Sequence, residues 1–597
     1  MMKKPRNFSS DPNRPSFLEE LYQGRFRWDL IRDFPVQDAQ DRARGDRLVE
    51  QLTVLLRERV DPTAVDRDRR LPDGLLADLA TRGYFRLQAD RAVGGRELSH
   101  YNTFRVVEAA ASWCTPVALS IAIENALGAS AFLSVVPEGP LRELLRAHVA
   151  RGGLSASADS EPAGAANQRR TTTATRVEAA EAYRLNGRKV FVGHAPVAEL
   201  VSVSATVREH GQERIQMFFV RTDSPGVTAG AWHEYMGIKG FPNGWMSFDD
   251  VLVPADQMFV ERAVDHQVRV TPETAKLVAR GRLHLIAAPS LAIAKLCVQW
   301  ARDFVLRREI DGRKLAGYDE IQQQLAESLA QTFAIEAMSQ WSLLPDDQDR
   351  QTNQRFEQNA AKNVSSLLCW DVVDRTMSLL AAEGYETAHS KHQRGAPPVP
   401  VERFLRDARN LRISGGVDFQ LDNWIARLSI LSYYYPEPDH AGALAKNAPV
   451  RCDLDSAALT DRNLDHLRWI ADEVHRFGAT CLELARRYPD RAALLERERT
   501  LISLTSIARE LLVMSLTLAR ASTMAATGDD SGQDLADVYC VSAGHRIADL
   551  RRRLAAGCPA DVRSLSAAWL SGTTLDHLTC DVAAGYPGAD RSRKRNV

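Results

Sequence analysis

The chain lacks the close cysteine pairs of a metal or redox site. Its eight cysteines are scattered over 597 residues, with no Cys-x-x-Cys and no histidines grouped at zinc-ligand spacing. That argues against a structural metal, so none is expected, and it favours a reducing cytoplasm. There is no Gly-x-Gly-x-x-Gly fingerprint, which argues against a nicotinamide site. A charge excess is missing as well. The formal net charge is -1, which offers no general attraction for nucleic acid or an anionic membrane. The basic run Arg591 to Arg595 is short and reads as a solvated terminus. Lys3, Lys4 and Arg6 are not followed by an apolar run, so no secretory leader is expected. No transmembrane segment is expected either. The longest apolar helical stretch, Leu501 to Met524, is interrupted by Arg509, Glu510 and Arg520 and reads as a buried helix.

What is present is ordinary globular composition, 45% hydrophobic and 26% charged, at a length that implies several packed domains. Residues 1–38 read as a mostly irregular arm that pins Phe26, Trp28 and Leu30 onto the body. Residues 39–150 carry helical periodicity, with Leu48, Leu52, Leu55 and Leu56 on one face and a nearly all-apolar helical region from Phe104 to Leu133. Around Gly152 the period changes to short alternating or β-branched runs, and residues 151–262 form a β domain, barrel or sandwich. Asn186-Gly187 between two such runs predicts a hairpin turn. Residues 263–436 return to helical periodicity as a four-helix bundle, and residues 437–597 add a further helical domain. The fold class is α+β, mainly α, without the βα alternation of a doubly wound sheet.

Several short motifs fall in order along this frame. Ser160-Glu161-Pro162-Ala163-Gly164 precedes Leu185-Asn186-Gly187-Arg188-Lys189-Val190-Phe191-Val192. Met236-Gly237-Ile238-Lys239 precedes Ser247-Phe248-Asp249-Asp250-Val251-Leu252-Val253-Pro254. Arg308-Glu309-Ile310-Asp311-Gly312-Arg313 and Ala381-Ala382-Glu383-Gly384-Tyr385 follow. Arg406-Asp407-Ala408-Arg409 then leads into Ser414-Gly415-Gly416-Val417-Asp418-Phe419. Together they resemble the acyl-CoA dehydrogenase family over roughly residues 40–430, with an additional helical domain placed as in its very-long-chain branch.

That resemblance implies FAD and oxidation of the CH–CH group of an acyl thioester, on CoA or a carrier protein. The reaction needs a polarised thioester carbonyl and a carboxylate within reach of the α-proton. The family places that carboxylate at one of two positions, here Gly415 and Gly281, the latter just before the family's Arg, which is Arg282. Both candidate base positions are vacated. Asp418, one turn into the following helix, and Glu309 are the remaining candidates. For the flavin, the resemblance implies Ser157, Asp159 and Ser160 as polar contacts and Phe191, Val192 and Gly193 beside the ring. Arg308 is implied to reach the diphosphate of a neighbouring subunit's FAD. Ser378 and Ala382 stand before the Gly384-Tyr385 turn, and Val417 and Phe419 follow the catalytic turn. Ala166 stands where the family has a Ser near the pyrophosphate. Each lost hydrogen bond is worth about 1 kcal/mol, so several together weaken the hold on FAD. The implied assembly is a homo-oligomer, dimer or tetramer, with a heteromer containing an active paralogue as the alternative. Two other readings stay open: a flavoprotein doing oxygenation or ene reduction, and a non-catalytic subunit.

Overall fold

A computed structural model describes residues 14–165, 167, 169–209, 212–230, 233–259, 272–350, 352–435, 454–556, 562–572 and 575–579. Two compact units divide at Gly544 and His545. The larger is mainly helical, with one β layer between two helical ones.

The arm from residue 14 is ordered into two short helices, Phe17–Tyr22 and Trp28–Ile31, which replaces the irregular segment expected from sequence. Ser16 caps the first helix and donates to Glu357 at 2.9 Å, and Leu18 N–H donates to the same carboxylate at 3.1 Å. Tyr22 bonds Thr505 at 2.8 Å, and its carbonyl accepts from the Tyr434 hydroxyl at 2.7 Å. Phe26 and Trp28 are buried and Leu30 is half-buried. The arm thereby ties the bundle to the helices that follow it.

The apolar helical region Phe104 to Leu133 is divided among three helices, His100–Trp113, Thr115–Ala126 and Ala129–Phe132. Pro116 supplies no N–H, and the chain breaks at Cys114, whose φ is -151°.

The β layer is an eight-stranded sheet. Its strands are β1 (Ser155–Ala158), β2 (Thr173–Val177), β3 (Ala182–Gly193), β4 (Leu200–Glu209), β5 (Gln212–Arg221), β6 (Val227–Ala229), β7 (Asn243–Pro254) and β8 (Met258–Phe259). The order is β6-β7-β3-β2-β4-β5-β8, with β1 parallel to the first half of β4. Asn186-Gly187 is not a hairpin turn. Strand β3 runs straight through it, and the register against β7 shifts between Leu185 and Gly187, a bulge. The Asn186 side chain accepts from Asp250 N–H at 2.9 Å across the ladder, so the polar pair serves the bulge.

The bundle opens with one continuous helical run, Pro272–Arg282, a π-helical turn Leu283–Ala287, and Ala288–Arg307. Pro289 has no N–H to return to the Leu285 carbonyl, and the widened turn accommodates it. Helices Asp319–Asp347, Arg355–Leu380, Val401–Leu411 and Asp418–Tyr434 complete it. Helices Asp461–Arg487 and Glu498–Ala526 follow, and Asp422 of the bundle pairs with Arg509 of the latter at 2.6 Å. Among the described residues, two helices are long and apolar enough to cross a membrane, Thr274–Arg307 and Glu498–Ala526; their most apolar windows are 67% and 78% buried in the fold.

Candidate functional site

Helix Val401–Leu411 is fixed to the Met236–Lys239 segment of the middle domain and, through Asp66, to the N-terminal helices. Arg406 forks onto Asp66, with both bonds at 2.9 Å, and donates to the Met236 carbonyl at 2.8 Å. Asp407 accepts from Ile238 N–H at 2.5 Å. A Cβ on Gly237 would lie 2.4 Å from the Arg406 carbonyl oxygen, so only glycine permits this approach. Ile238 is held at φ +45°, strained for a β-branched residue and imposed by this docking.

Beyond Leu411 the chain reverses through Gly415 (φ +71°) and Gly416 (φ +109°) into helix Asp418–Tyr434. Three polar residues on one face of helix Arg355–Leu380 form the floor of this turn. Lys362, fully buried, donates to the carbonyls of Arg412 at 3.0 Å and Gly416 at 2.7 Å. Asn363 donates to the Asp418 carbonyl and the Asp422 carboxylate, each at 2.7 Å. Asn359 accepts from Arg282 at 2.5 Å, and Arg282 also donates through Nε to the Gly415 carbonyl at 2.9 Å. Burial pushes Arg282 down to about 10 and Lys362 down to about 8.

Asp418 is engaged. Its carboxylate accepts from Arg412 at 2.6 and 2.9 Å and from Phe419 N–H at 2.8 Å. Burial acts to raise its pKa, but these donors outweigh it and hold the carboxyl below its ordinary value. A carboxylate so stabilised is a poor base. Glu309 pairs with Lys314 at 2.6 Å across the hairpin Glu309–Ile310 and Arg313–Lys314.

Gly281 lies in the helix, buried against the end of helix Thr115–Ala126. A Cβ there would meet Ala126 Cβ and its carbonyl oxygen, both at 3.2 Å. Between this helix and the β layer sits an apolar cluster of Leu119, Ile123, Ile238 and Phe241, with Tyr235 and Leu285 half-buried against it. Gly193 faces the same cluster. A Cβ on it would lie 2.8 Å from Ile123 Cδ1 and 3.0 Å from Phe241 Cζ, so a family-like Thr has no room without repacking. Next to it, His194 Nδ1 lies 3.1 Å from Glu124, which also accepts from Ser155 N–H at 2.6 Å. His194 Nε2 is buried without a partner among the described residues.

The flavin-side residues fall into groups. Ser157, Asp159 and Ser160 lie on and just after β1, and the Ser160 carbonyl accepts from Val190 N–H on β3 at 2.9 Å. Asp159 is held by Arg170 at 2.9 Å and Ser204 at 2.6 Å. The fully buried pair Lys189–Glu161, at 2.9 Å, folds the loop after β1 onto the sheet. Burial acts to raise the Glu161 carboxyl, but Lys189, Thr171 and Thr172 outweigh it and leave it at about 2. Val192 is buried, whereas Phe191, at φ +57°, is 62% exposed. A second group, Arg308, Ser378 and Ala382, is exposed, and Arg307 pairs with Glu383 beside it at 2.5 Å. Val417 is the N-cap of the helix after the turn, and Phe419 is exposed. Ala166 lies outside the described residues.

Sequence reasoning missed Lys362, Asn359, the Glu124–His194 pair and the π turn. The signal for the first two was a polar stripe, Asn359, Lys362, Asn363 and Ser366, at helical spacing in an otherwise buried helix.

Three family models match the chain: the acyl-CoA dehydrogenase N-terminal domain over residues 45–139, the middle domain over 156–251 and the C-terminal domain over 274–428. A "Probable acyl-CoA dehydrogenase" of Mycobacterium tuberculosis is 27% identical over 570 residues, covering 90% of this chain and 85% of that protein. The mitochondrial very long-chain specific acyl-CoA dehydrogenase of Macaca fascicularis is 24% identical over 561 residues, covering 89% and 83%. The crystal structure of an acyl-CoA dehydrogenase complexed with FAD from Bacillus anthracis superposes with a TM-score of 0.72 at 18% identity, covering 93% of this chain and 95% of that one. With helical, β and helical layers each matched by its own model, the chain belongs to the acyl-CoA dehydrogenase family.

Proposed function

We propose that the chain is an FAD-dependent oxidoreductase acting on the CH–CH group of an acyl thioester, carried on CoA or a carrier protein in the cytoplasm, with no carboxylate base at position 415 or 281. The observation that supports this most is the intact turn. Arg282, Lys362 and Asn359 hold the backbone around Gly415 in place, and only the side chain is missing.

The residues present fit a flavin. Phe191 offers an exposed ring face on β3, Ser157 and Ser160 line the neighbouring strand end, and a Cβ on Gly164 would meet nothing within 4 Å, leaving room above the loop. FAD, when bound, accepts the hydride from the β-carbon. The chain's own part is to seat the acyl group against Leu119, Ile123 and Leu285, to keep water from it, and to set the field at the α-carbon through Arg282 and Lys362. In this reading Arg308 and Tyr385, the latter 83% exposed, serve an adjacent subunit of a homo-oligomer, dimer or tetramer.

The purified chain is expected to be yellow and to bleach when an acyl thioester is added without oxygen. The commitment of Asp418 to Arg412 favours a second reading, flavin chemistry that needs no α-proton base, such as oxygenation or ene reduction. Under that reading a yellow protein fails to bleach with any saturated acyl thioester. A colourless protein that takes up no FAD contradicts both and leaves the non-catalytic subunit paired with an active paralogue.

A further inference from the structure

Two cations close around the Gly415 turn, and neither has a carboxylate in ion-pair reach among the described residues. Lys362 is fully buried and spends two of its three N–H donors on the carbonyls of Arg412 and Gly416. Arg282 spends Nε on the Gly415 carbonyl and Nη1 on Asn359, both neutral acceptors. Arg412, between them, is already neutralised by Asp418. Cations taken out of water without a counter-charge are costly, and the cost is relieved when an anion joins them. On the open side, a Cβ at position 415 would meet nothing closer than Arg282 Cγ and Ile286 Cγ1, both at 3.7 Å. No other side chain comes within 4 Å of that Cβ.

We propose that this space is an anion subsite and that the substrate supplies the anion: an acyl thioester bearing a second carboxylate on the carbons next to the thioester. This rests on the reading of the chain as an acyl-thioester oxidoreductase. The substrate's carboxylate takes the place of the missing glutamate, accepts the unspent N–H groups of Arg282, and balances Lys362. An acyl group that ends in hydrocarbon brings no anion to Arg282 and Lys362 and binds more weakly.

The test is equilibrium binding to the FAD-loaded full chain by calorimetry, with three four-carbon acyl-CoA probes. Methylmalonyl-CoA carries the carboxylate on the α-carbon, succinyl-CoA carries it on the β-carbon, and butyryl-CoA carries none. At least one carboxylated probe is expected to bind roughly 10- to 100-fold tighter than butyryl-CoA, the worth of one charge-assisted hydrogen-bonded contact. Gly415→Glu, which places a resident carboxylate in the subsite, reduces that preference to about threefold or less, and Arg282→Gln does the same. Equal binding of all three probes, or a preference that survives Gly415→Glu, overturns the subsite and leaves the acyl-thioester reading standing. Binding of palmitoyl-CoA but of none of the short probes has the same meaning. If no acyl-CoA of any kind binds, the acyl-thioester reading itself falls.

Discussion

Gly281 and Gly415, the two glycines that motif resemblance sets at the family's carboxylate positions, differ in kind. Gly281 is helical and buried, and the Ala126 carbonyl closes off the space its side chain would need. Gly415 has left-handed φ, lies exposed on a turn, and leaves open space beside Arg282. One glycine lets two helices pack closely. The other reverses the chain and leaves a charged recess. Two positions that read alike as vacancies are thus unlike in what they can accept.

The sharpest way to break this comparison is to put the same glutamate at both positions. Gly281→Glu buries an unpaired carboxylate against a carbonyl oxygen and is expected to destabilise the fold by several kcal/mol, read as a lower denaturant midpoint. Gly415→Glu meets only the left-handed backbone cost of about 1–2 kcal/mol, offset by the two cations. Equal destabilisation by the two substitutions removes the distinction.

Lys362 sharpens the same contrast. Its folded-state pKa, about 8, lies below the ordinary lysine value because of burial, while Asp418 and Asp422 pull it up and Arg282 and Arg412 push it down. A lysine depressed on folding carries a penalty for being charged when buried, which is in full force below about pH 8 and is relieved as pH rises toward the unfolded value. The stability of wild type relative to Lys362→Met is therefore expected to rise between pH 7 and 10. A difference independent of pH would mean that Lys362 does not titrate as a buried group. At neutral pH, loss of the clamp on the Arg412 and Gly416 carbonyls costs Lys362→Met about 1–3 kcal/mol. The smallest effect belongs to Asp418→Asn. With that carboxylate committed to Arg412, flavin reduction by acyl-CoA should change by less than about threefold, since general-base loss itself would cost ~10²- to 10⁴-fold.

The order of helical, β and helical layers was legible because hydrophobic period is a local property. It changes near Gly152, where β1 begins at Ser155, and again near Ala279, inside helix Pro272–Arg282. Asn186-Gly187 misled because the same dipeptide serves a bulge when both flanking runs continue in one strand, as β3 does against β7. Pro116 stood in plain view inside the apolar region as the reason for its break. At the site, the turn and Arg282 were legible through motif order. Lys362 was not, because its acceptors lie 50 and 54 residues downstream and nothing local marks a lysine as buried. The same holds for the Arg406–Asp66 fork, which spans 340 residues. The closure of Gly281 depends on a neighbouring helix that no spacing within its own helix reveals.

The most direct measurement is the rate at which a saturated acyl-CoA reduces the bound flavin in a single anaerobic turnover, compared between wild type and Gly415→Glu. A vacated base on a working scaffold predicts that wild type is slow and that the variant is faster by ~10²- to 10⁴-fold. A wild type that already turns over at roughly 1 to 10³ per second, with no gain in the variant, would contradict it.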